Sequence, residues 1–192
     1  MKEIQIFTPR LILRPPVLDD AEEISLAKQE VWKELQRWMS WAYDGQETLE
    51  ATRQYIKMTL EELEKGYPHL LARHKSTGEL VCSTGATSYP DDERSYSTGY
   101  WVAKKYLGQG FATEATIAAI RFAFEKLKAR AVHIDYYEGN DKSRRIIDKL
   151  GFTFSHTVTE GHKRCLDGQP LDVHHYVMHD PALLPSLDVH WN

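Results

Sequence analysis

The chain has 192 residues, 42% hydrophobic and 27% charged, with a formal net charge of −4 at pH 7. That length and apolar content suit one full hydrophobic core, so residues 1–192 read as a single domain. The acidic average excludes a nucleic-acid surface, which would want a basic stripe, and suits a cationic acceptor instead.

No segment approaches the roughly 20 apolar residues of a membrane helix, and the stretch from Met1 to Phe7 has no apolar core followed by a small-residue cleavage site. The expectation is a cytoplasmic protein with no membrane or nucleic-acid partner, as a monomer or homodimer. Cys82 and Cys165 are far apart, in no C-x-x-C spacing, which indicates neither a disulfide framework nor a zinc ribbon. Cys82 reads as a small buried hydrophobe and Cys165 as an ordinary thiol. His174, His175 and His179 fall on a predicted strand where neighbours point to opposite faces, so no metal is expected.

In chain order, Arg10 to Arg14 reads as a short strand stopped by Pro15-Pro16. Asp19 and Asp20 offer an N-cap to a helix carrying Ala21, Ile24, Leu26 and Ala27. A second amphipathic helix covers residues 48–65. Between the two helices lies the segment 35–41, whose Trp38 and Trp41 serve either as core anchors or as the lining of an acceptor pocket. Residues 69–74 and 79–89 read as a hairpin turning at Lys75 to Gly78, and residues 96–103 as a further strand. A helix follows from about Gly110 to Leu127, with Ala112, Ala115, Ala119, Phe122 and Ala123 on one stripe. Next come a strand over 131–137, a short helix over 141–150 stopped by Gly151, and two strands within 152–178 that turn at Asp167-Gly168. The result is an α/β (α+β) chain with one mixed, mostly antiparallel sheet and helices on both faces.

Two segments carry chemistry. In Tyr106-Leu107-Gly108-Gln109-Gly110-Phe111-Ala112-Thr113, two glycines open into a helix. Glycine lets backbone approach a ligand closely, and the unpaired N–H groups of a first helical turn favour a phosphate or pyrophosphate. The second segment runs from Asn140 to Phe152 and contains Asn140, Ser143, Arg144, Arg145 and the closing Gly151-Phe152. Alone, Asn140 and Ser143 read as an N-cap region.

Strand, glycine loop, helix, strand, Asn-x-x-Ser helix and Gly-Phe, in that order, resemble the GNAT superfamily of acetyl-CoA-dependent N-acetyltransferases. Within it the chain is most similar to the RimJ/RimL-like branch that acetylates ribosomal-protein N-termini. The opening strand of that branch falls on Thr8 to Arg14, its fourth strand on Gly99-Tyr100-Trp101-Val102, and its closing signature on 140–152. The resemblance implies the GNAT fold, with acetyl-CoA as co-substrate and no metal. It implies that Leu107, Gly108, Gln109, Gly110, Phe111, Ala112 and Thr113 hold the coenzyme A pyrophosphate, although Leu107 stands where the family has Gln or Arg. It further implies that Trp101 and Val102 pair with the pantetheine arm, that Asn140 contacts the pantetheine or acetyl end, and that Ser143 lies near the departing sulfur. Arg144 and Arg145 would meet nucleotide phosphates.

Branch members often carry Glu two residues before the position of Gly99, where this chain has Ser97. Glu138, Asp135 or a water chain would then have to take the amine proton, and Glu138 is named as the catalytic base. The expected acceptor is a protein N-terminal α-amine, with a small amine (polyamine, aminoglycoside or amino acid) as alternative. The missing carboxylate also leaves open a non-catalytic acetyl-CoA-binding module. A nicotinamide-binding enzyme is a further rival, because Gly108-x-Gly110 precedes a strand carrying Asp135 at about the spacing of a ribose-binding acid.

Overall fold

The computed structural model describes residues 4–43, 45, 47–90 and 92–192. Met1 to Glu3, on which part of the leader reading rests, lie outside them. Strands β1 (Ile6–Phe7) and β2 (Leu11–Arg14) pair antiparallel, with Leu11 and Leu13 fully buried on one face. Helix α1 (Ala21–Trp38) runs four residues further than the sequence reading, taking in Leu35 to Trp38. Asp20 does stand at its N-cap, but its side chain makes no capping bond to this helix. The carboxylate instead accepts from both terminal nitrogens of Arg14 at 2.7 Å, from Arg73 at 2.7 Å and from the Val17 N–H at 2.7 Å. Helix α2 (Leu49–Glu64) begins as expected, with the Thr48 hydroxyl accepting the Ala51 N–H at 3.1 Å.

The hairpin of β3 (His69–His74) and β4 (Leu80–Gly85) forms where the pattern places it. The remainder of its second strand breaks off as β5 (Thr87–Ser88). The strand expected over 96–103 is likewise two pieces, β6 (Ser95–Ser97) and β7 (Trp101–Val102). There follow α3 (Phe111–Glu125), β8 (Ala131–Tyr137), α4 (Asp141–Leu150), β9 (Thr153–Lys163), β10 (Pro170–Met178) and β11 (His190–Trp191).

The expected single sheet is therefore two: a six-stranded one in the order β11-β1-β2-β3-β4-β7, and a five-stranded one in the order β5-β6-β8-β10-β9. Among the described residues every ladder is antiparallel except that of β6 with β8. Cys82 faces Val102 and Ser83 faces Trp101; beyond the gap Thr87 faces Ser97 and Ser88 faces Tyr96. Residues 84–86 oppose residues 98–100 without an insertion on either side, so the break is a divergence of the sheets and not a bulge. The Thr98 hydroxyl stitches across it to the Gly85 carbonyl at 2.8 Å. A Cβ on Gly85 would lie 2.7 Å from the Pro68 carbonyl oxygen, so this close approach of β3 requires glycine.

Helices cover both faces of the larger sheet. Ala21, Ile24 and Leu35 of α1 and Ile56 of α2 pack with Leu71, Leu80 and Trp101, whereas Leu70, Ala72 and Val81 meet Ala115, Ala118 and Phe122 of α3. Leu70 and Leu71 thus serve opposite cores, as strand alternation demands. Further along α3, Ile117, Ile120 and Ala123 pack on Val132, Ile134 and Met178 of the second sheet. One helix of small and branched residues backs both sheets across their divergence. The tip of the β9–β10 hairpin docks on the end of α1, where the Leu166 N–H donates to the Gln36 carbonyl at 3.0 Å and the Cys165 thiol to the Met39 carbonyl at 3.3 Å. Cys82 is fully buried as expected, and burial pushes its thiol up to about 12. Among the described residues no helix is long and apolar enough to cross a membrane, and no group of three His, Cys, Asp or Glu side chains is placed to hold a metal.

Candidate active site

The glycine loop leaves β7 through one 3-10 turn, Lys104–Tyr106, and reaches α3 with Gly108 at φ 74° and Gly110 at φ 80°. Both conformations are left-handed and favour glycine. Gly110 is the N-cap and brings no side chain to it. The first intrahelical bond runs from the Glu114 N–H to the Gly110 carbonyl at 3.1 Å. The amides before Glu114 therefore lack a helical acceptor one turn earlier, and they stand at the positive end of the helix dipole.

Arg10 fixes this loop from the opening strand. Its Nε lies 2.6 Å from Glu114 Oε2, an Nη donates to the Gln109 carbonyl at 3.1 Å, and the guanidinium stacks 4.0 Å from the Phe111 ring centroid. Glu114, 7% exposed at its side chain, also accepts from the Thr8 hydroxyl at 2.6 Å and the Arg10 N–H at 2.9 Å. The Thr8-Pro9-Arg10 segment thereby acquires a physical role: it holds the glycine loop in place.

Beside the loop the sheets part. The Thr98 N–H donates to the His133 carbonyl of β8, and the Ala103 N–H donates to the Val81 carbonyl of β4. Strand alternation turns the amides of Tyr100 and Val102 to the same side as that of Thr98, toward β8, where no ladder joins β7 among the described residues. These donors are available for an extended ligand that adds itself as a strand. At the far wall, the Asn140 side chain caps α4 by accepting the Ser143 N–H at 3.2 Å, and the Ser143 hydroxyl lies 3.1 Å from that of Tyr100. Burial pushes the Tyr100 phenol above its ordinary value, against the opposing pull of Ser143.

A cleft of about 1390 Å³ runs through these elements. It is lined by Trp101, Val102, Leu107, Gly108, Gly110, Phe111, Ala112, Thr113, Asn140 and Ser143, which brings together most of the residues singled out in the sequence. Three stand apart from it. Gln109 turns its amide to the Lys105 carbonyl at 2.8 Å. Arg144 faces Asp148 at 3.9 Å, and its neighbour Arg145 takes the cleft side of α4 with Lys142, Ile146 and Lys149, an i, i+3, i+4, i+7 stripe. Glu138, 64% exposed at its side chain, binds His174 Nε2 at 2.6 Å. It lines neither cavity of the site. Asp135, the other carboxylate considered, is bound to His175 at 2.8 Å; burial raises its pKa from the ordinary value against the pull of His175, and it too lines neither cavity.

A second cavity of about 580 Å³ shares Trp32, Met39, Glu47, Tyr100 and Trp101 with the cleft. Trp38 lines the cleft and Trp41 the second cavity, so both tryptophans are walls and not core anchors. In this cavity Lys28 and Glu47 form a buried ion pair at 3.0 Å, and the Thr52 hydroxyl donates to the same Glu47 oxygen. Sequence reasoning missed this pair, together with Trp32, Tyr55 and His69 on the same wall. They come from α1, the segment before α2, α2 and β3, and no local spacing relates them.

Residues 10–153 match the acetyltransferase (GNAT) domain family. The chain belongs to that family. A GNAT domain accounts for the linked glycine loop, parted sheets and Asn-x-x-Ser helix, and it overturns the nicotinamide reading, since β6 and β8 form the single parallel pair among the described strands. The chain is 41% identical over 59 residues to the Bacillus subtilis (strain 168) protein named "Putative ribosomal N-acetyltransferase YdaF", covering 31% of this chain. That stretch spans only 32% of YdaF's length. Over 94% of this chain and 99% of the other, it superposes with TM-score 0.83 and 19% identity on RimL, the ribosomal L7/L12 α-N-protein acetyltransferase, in complex with coenzyme A. Mycobacterium smegmatis RimJ, in complex with a CoA-disulfide, gives TM-score 0.83 at 19% identity over 96% of this chain and 91% of that one.

Proposed function

We propose that this GNAT domain is an acetyl-CoA-dependent N-acetyltransferase whose acceptor is the N-terminal α-amine of a protein, a ribosomal protein first among them. The observation that carries the reading is the meeting of the two cavities at Tyr100 and Trp101, beside the parted strands. In this reading the cleft takes the coenzyme. The amides around Gly108 to Thr113 receive the pyrophosphate, with Lys104, Lys142, Arg145 and Lys149 supplying positive charge along the rim. The free amides of Tyr100 and Val102 hold the pantetheine arm and polarise the thioester carbonyl. Ser143, on the α4 turn that Asn140 caps, stands by the departing sulfur.

The amine approaches from the second cavity, attacks the thioester carbonyl, and the thiolate leaves. An α-amine, with an ordinary pKa near ~7.7 to 8.0, sheds its proton more readily than a lysine amine near ~10.4. RimL, the ribosomal L7/L12 α-N-protein acetyltransferase whose fold the chain shares, supports ribosomal proteins as acceptors, and the net charge of −4 suits basic partners met in the cytoplasm. The aromatic walls and modest volume of the second cavity also suit a small amine, which is the second reading.

The test is release of free thiol from acetyl-CoA with Ala- and Ser-initiated ribosomal-protein peptides, polyamines, aminoglycosides and amino acids. Release with peptides and acetylation at their first residue supports the reading. Release with small amines alone moves the activity to small-molecule acetylation, and calorimetric acetyl-CoA binding with no release on any acceptor favours a non-catalytic module.

A further inference from the structure

With serine at position 97 and Glu138 and Asp135 lining neither cavity, the acceptor amine lacks the carboxylate that the sequence led us to seek. The second cavity contains a different group. Its described titratable lining residues are Lys28, Glu47, Tyr43, Tyr55, Tyr100 and His69. Glu47 is committed to Lys28 and to the Thr52 hydroxyl, and it is nearly inaccessible. Lys28 is held at 3.0 Å as the partner of that carboxylate, with Trp41 and Tyr55 each 5.6 Å from its ammonium. A tyrosine hydroxyl carries its proton at neutral pH and cannot accept another. His69 remains, at the start of β3, opposite Gly85 in the ladder and brought close by that glycine's missing Cβ.

We propose that His69 is the general base of the acceptor site, taking the amine proton directly or through one water, in place of the carboxylate absent at Ser97. The inference rests on the transferase reading above and adds the residue that makes the amine reactive.

The surroundings of His69 suit the role. Its Nδ1 lies 3.4 Å from the Tyr55 hydroxyl, and the Tyr55 ring meets the imidazole edge-on at 5.8 Å. With Nδ1–H donating to the phenol oxygen, Nε2 carries the free lone pair, the arrangement by which a partner fixes a histidine tautomer. Burial lowers the His69 pKa below its ordinary value, partly opposed by the charge of Glu62 on α2, so the ring is neutral and ready to accept at neutral pH.

The step balances. One proton passes from the acceptor ammonium to His69, and the freed pair on nitrogen forms the bond to the acetyl carbonyl carbon. The C–S bond then breaks, the second amine proton goes to the departing thiolate to give the free thiol, and imidazolium returns its proton to solvent.

The experiment is the pH profile of kcat/KM for whichever acceptor the wild type turns over, compared with His69→Gln and Tyr55→Phe, with acetyl-CoA affinity measured by calorimetry. The wild type should show an acid limb below the ordinary histidine value. His69→Gln should lose that limb and about 10²-fold in kcat, with acetyl-CoA affinity unchanged, and Tyr55→Phe should move the limb. A His69→Gln enzyme that keeps both wild-type rate and limb overturns the proposal. Should that variant fail to fold, an unmoved limb in Tyr55→Phe overturns it alone. A wild type inactive with every acceptor defeats the transferase reading, and His69 with it, whereas an active wild type indifferent to His69 defeats only the inference.

Discussion

The hydroxyl of Tyr100 lies 3.1 Å from that of Ser143, bridging the diverging strand and the first turn of α4 across the cleft. Either change, Ser143→Ala or Tyr100→Phe, breaks the bridge without touching the glycine loop. Ser143→Ala should lower kcat by about 10²-fold, the range for loss of a proton donor, and Tyr100→Phe by less. Acetyl-CoA affinity should stay near wild type in both, read by calorimetry beside steady-state thiol release. Undiminished turnover in Ser143→Ala would remove that hydroxyl from the mechanism.

Gly110 should tolerate no β-branched residue. At φ 80° a valine is strained by about 1–2 kcal/mol, and relief would swing the amides of the first helical turn off the anion position. Gly110→Val is expected to weaken acetyl-CoA binding by more than tenfold, a loss above about 1.4 kcal/mol. A variant binding as tightly as wild type in calorimetry would contradict the pyrophosphate assignment.

Glu114 ties the opening strand to the helix behind the loop, accepting from Thr8 and twice from Arg10. Glu114→Ala leaves the buried Thr8 hydroxyl only its bonds with the Leu11 backbone and frees Arg10, at a cost of about 1–3 kcal/mol. Urea denaturation should show the loss. Acetyl-CoA affinity should fall as well, because Arg10 also holds the Gln109 carbonyl; a stability loss with unaltered affinity would mean that the loop keeps its shape alone.

Asp20 predicts an acid dependence of stability. Burial alone would raise its pKa, but Arg14, the Val17 N–H and Arg73 outweigh burial and hold the carboxyl below its ordinary value. A carboxylate depressed on folding stabilises fully above its unfolded pKa of about 3.9, and that contribution disappears as pH falls through the lower folded value. Unfolding midpoints taken from pH 6 downward should therefore drop more steeply below about pH 4 in wild type than in Asp20→Asn. Parallel curves would dismiss Asp20 as a contributor.

Much of this architecture is legible in the chain because the signals are local. The start of α2 at Thr48, the apolar period of α3, Gly108 and Gly110 before it, and Asn140 with Ser143 at the start of α4 each act within a few residues, and each sits where the pattern places it. What escaped is non-local. The division of 96–103 into β6 and β7 follows from which strand lies alongside, since Ser95 to Ser97 find β8 while Trp101 and Val102 find β4. Arg144 and Arg145 are both candidates for the phosphates by sequence, but they are one helical step, 100°, apart, and only the packing of Ile147 and Leu150 decides that Arg145 faces the cleft. Glu138 stands close to Asn140 in sequence, whereas His69 is separated from the loop by four strands and a 3-10 turn.

The ladder between β4–β5 and β6–β7 keeps one register on both sides of its gap. The opening that admits a ligand is therefore neutral in chain length, and its two halves are geared together. Removing a single residue from 84–86 or 98–100 would not merely narrow the gap. It would turn every following side chain to the opposite face, sending Tyr96 out of its core or Trp101 out of the shared wall. Variation at this site is thus free to change side chains but confined to a fixed count of residues, unless both strands gain or lose residues together.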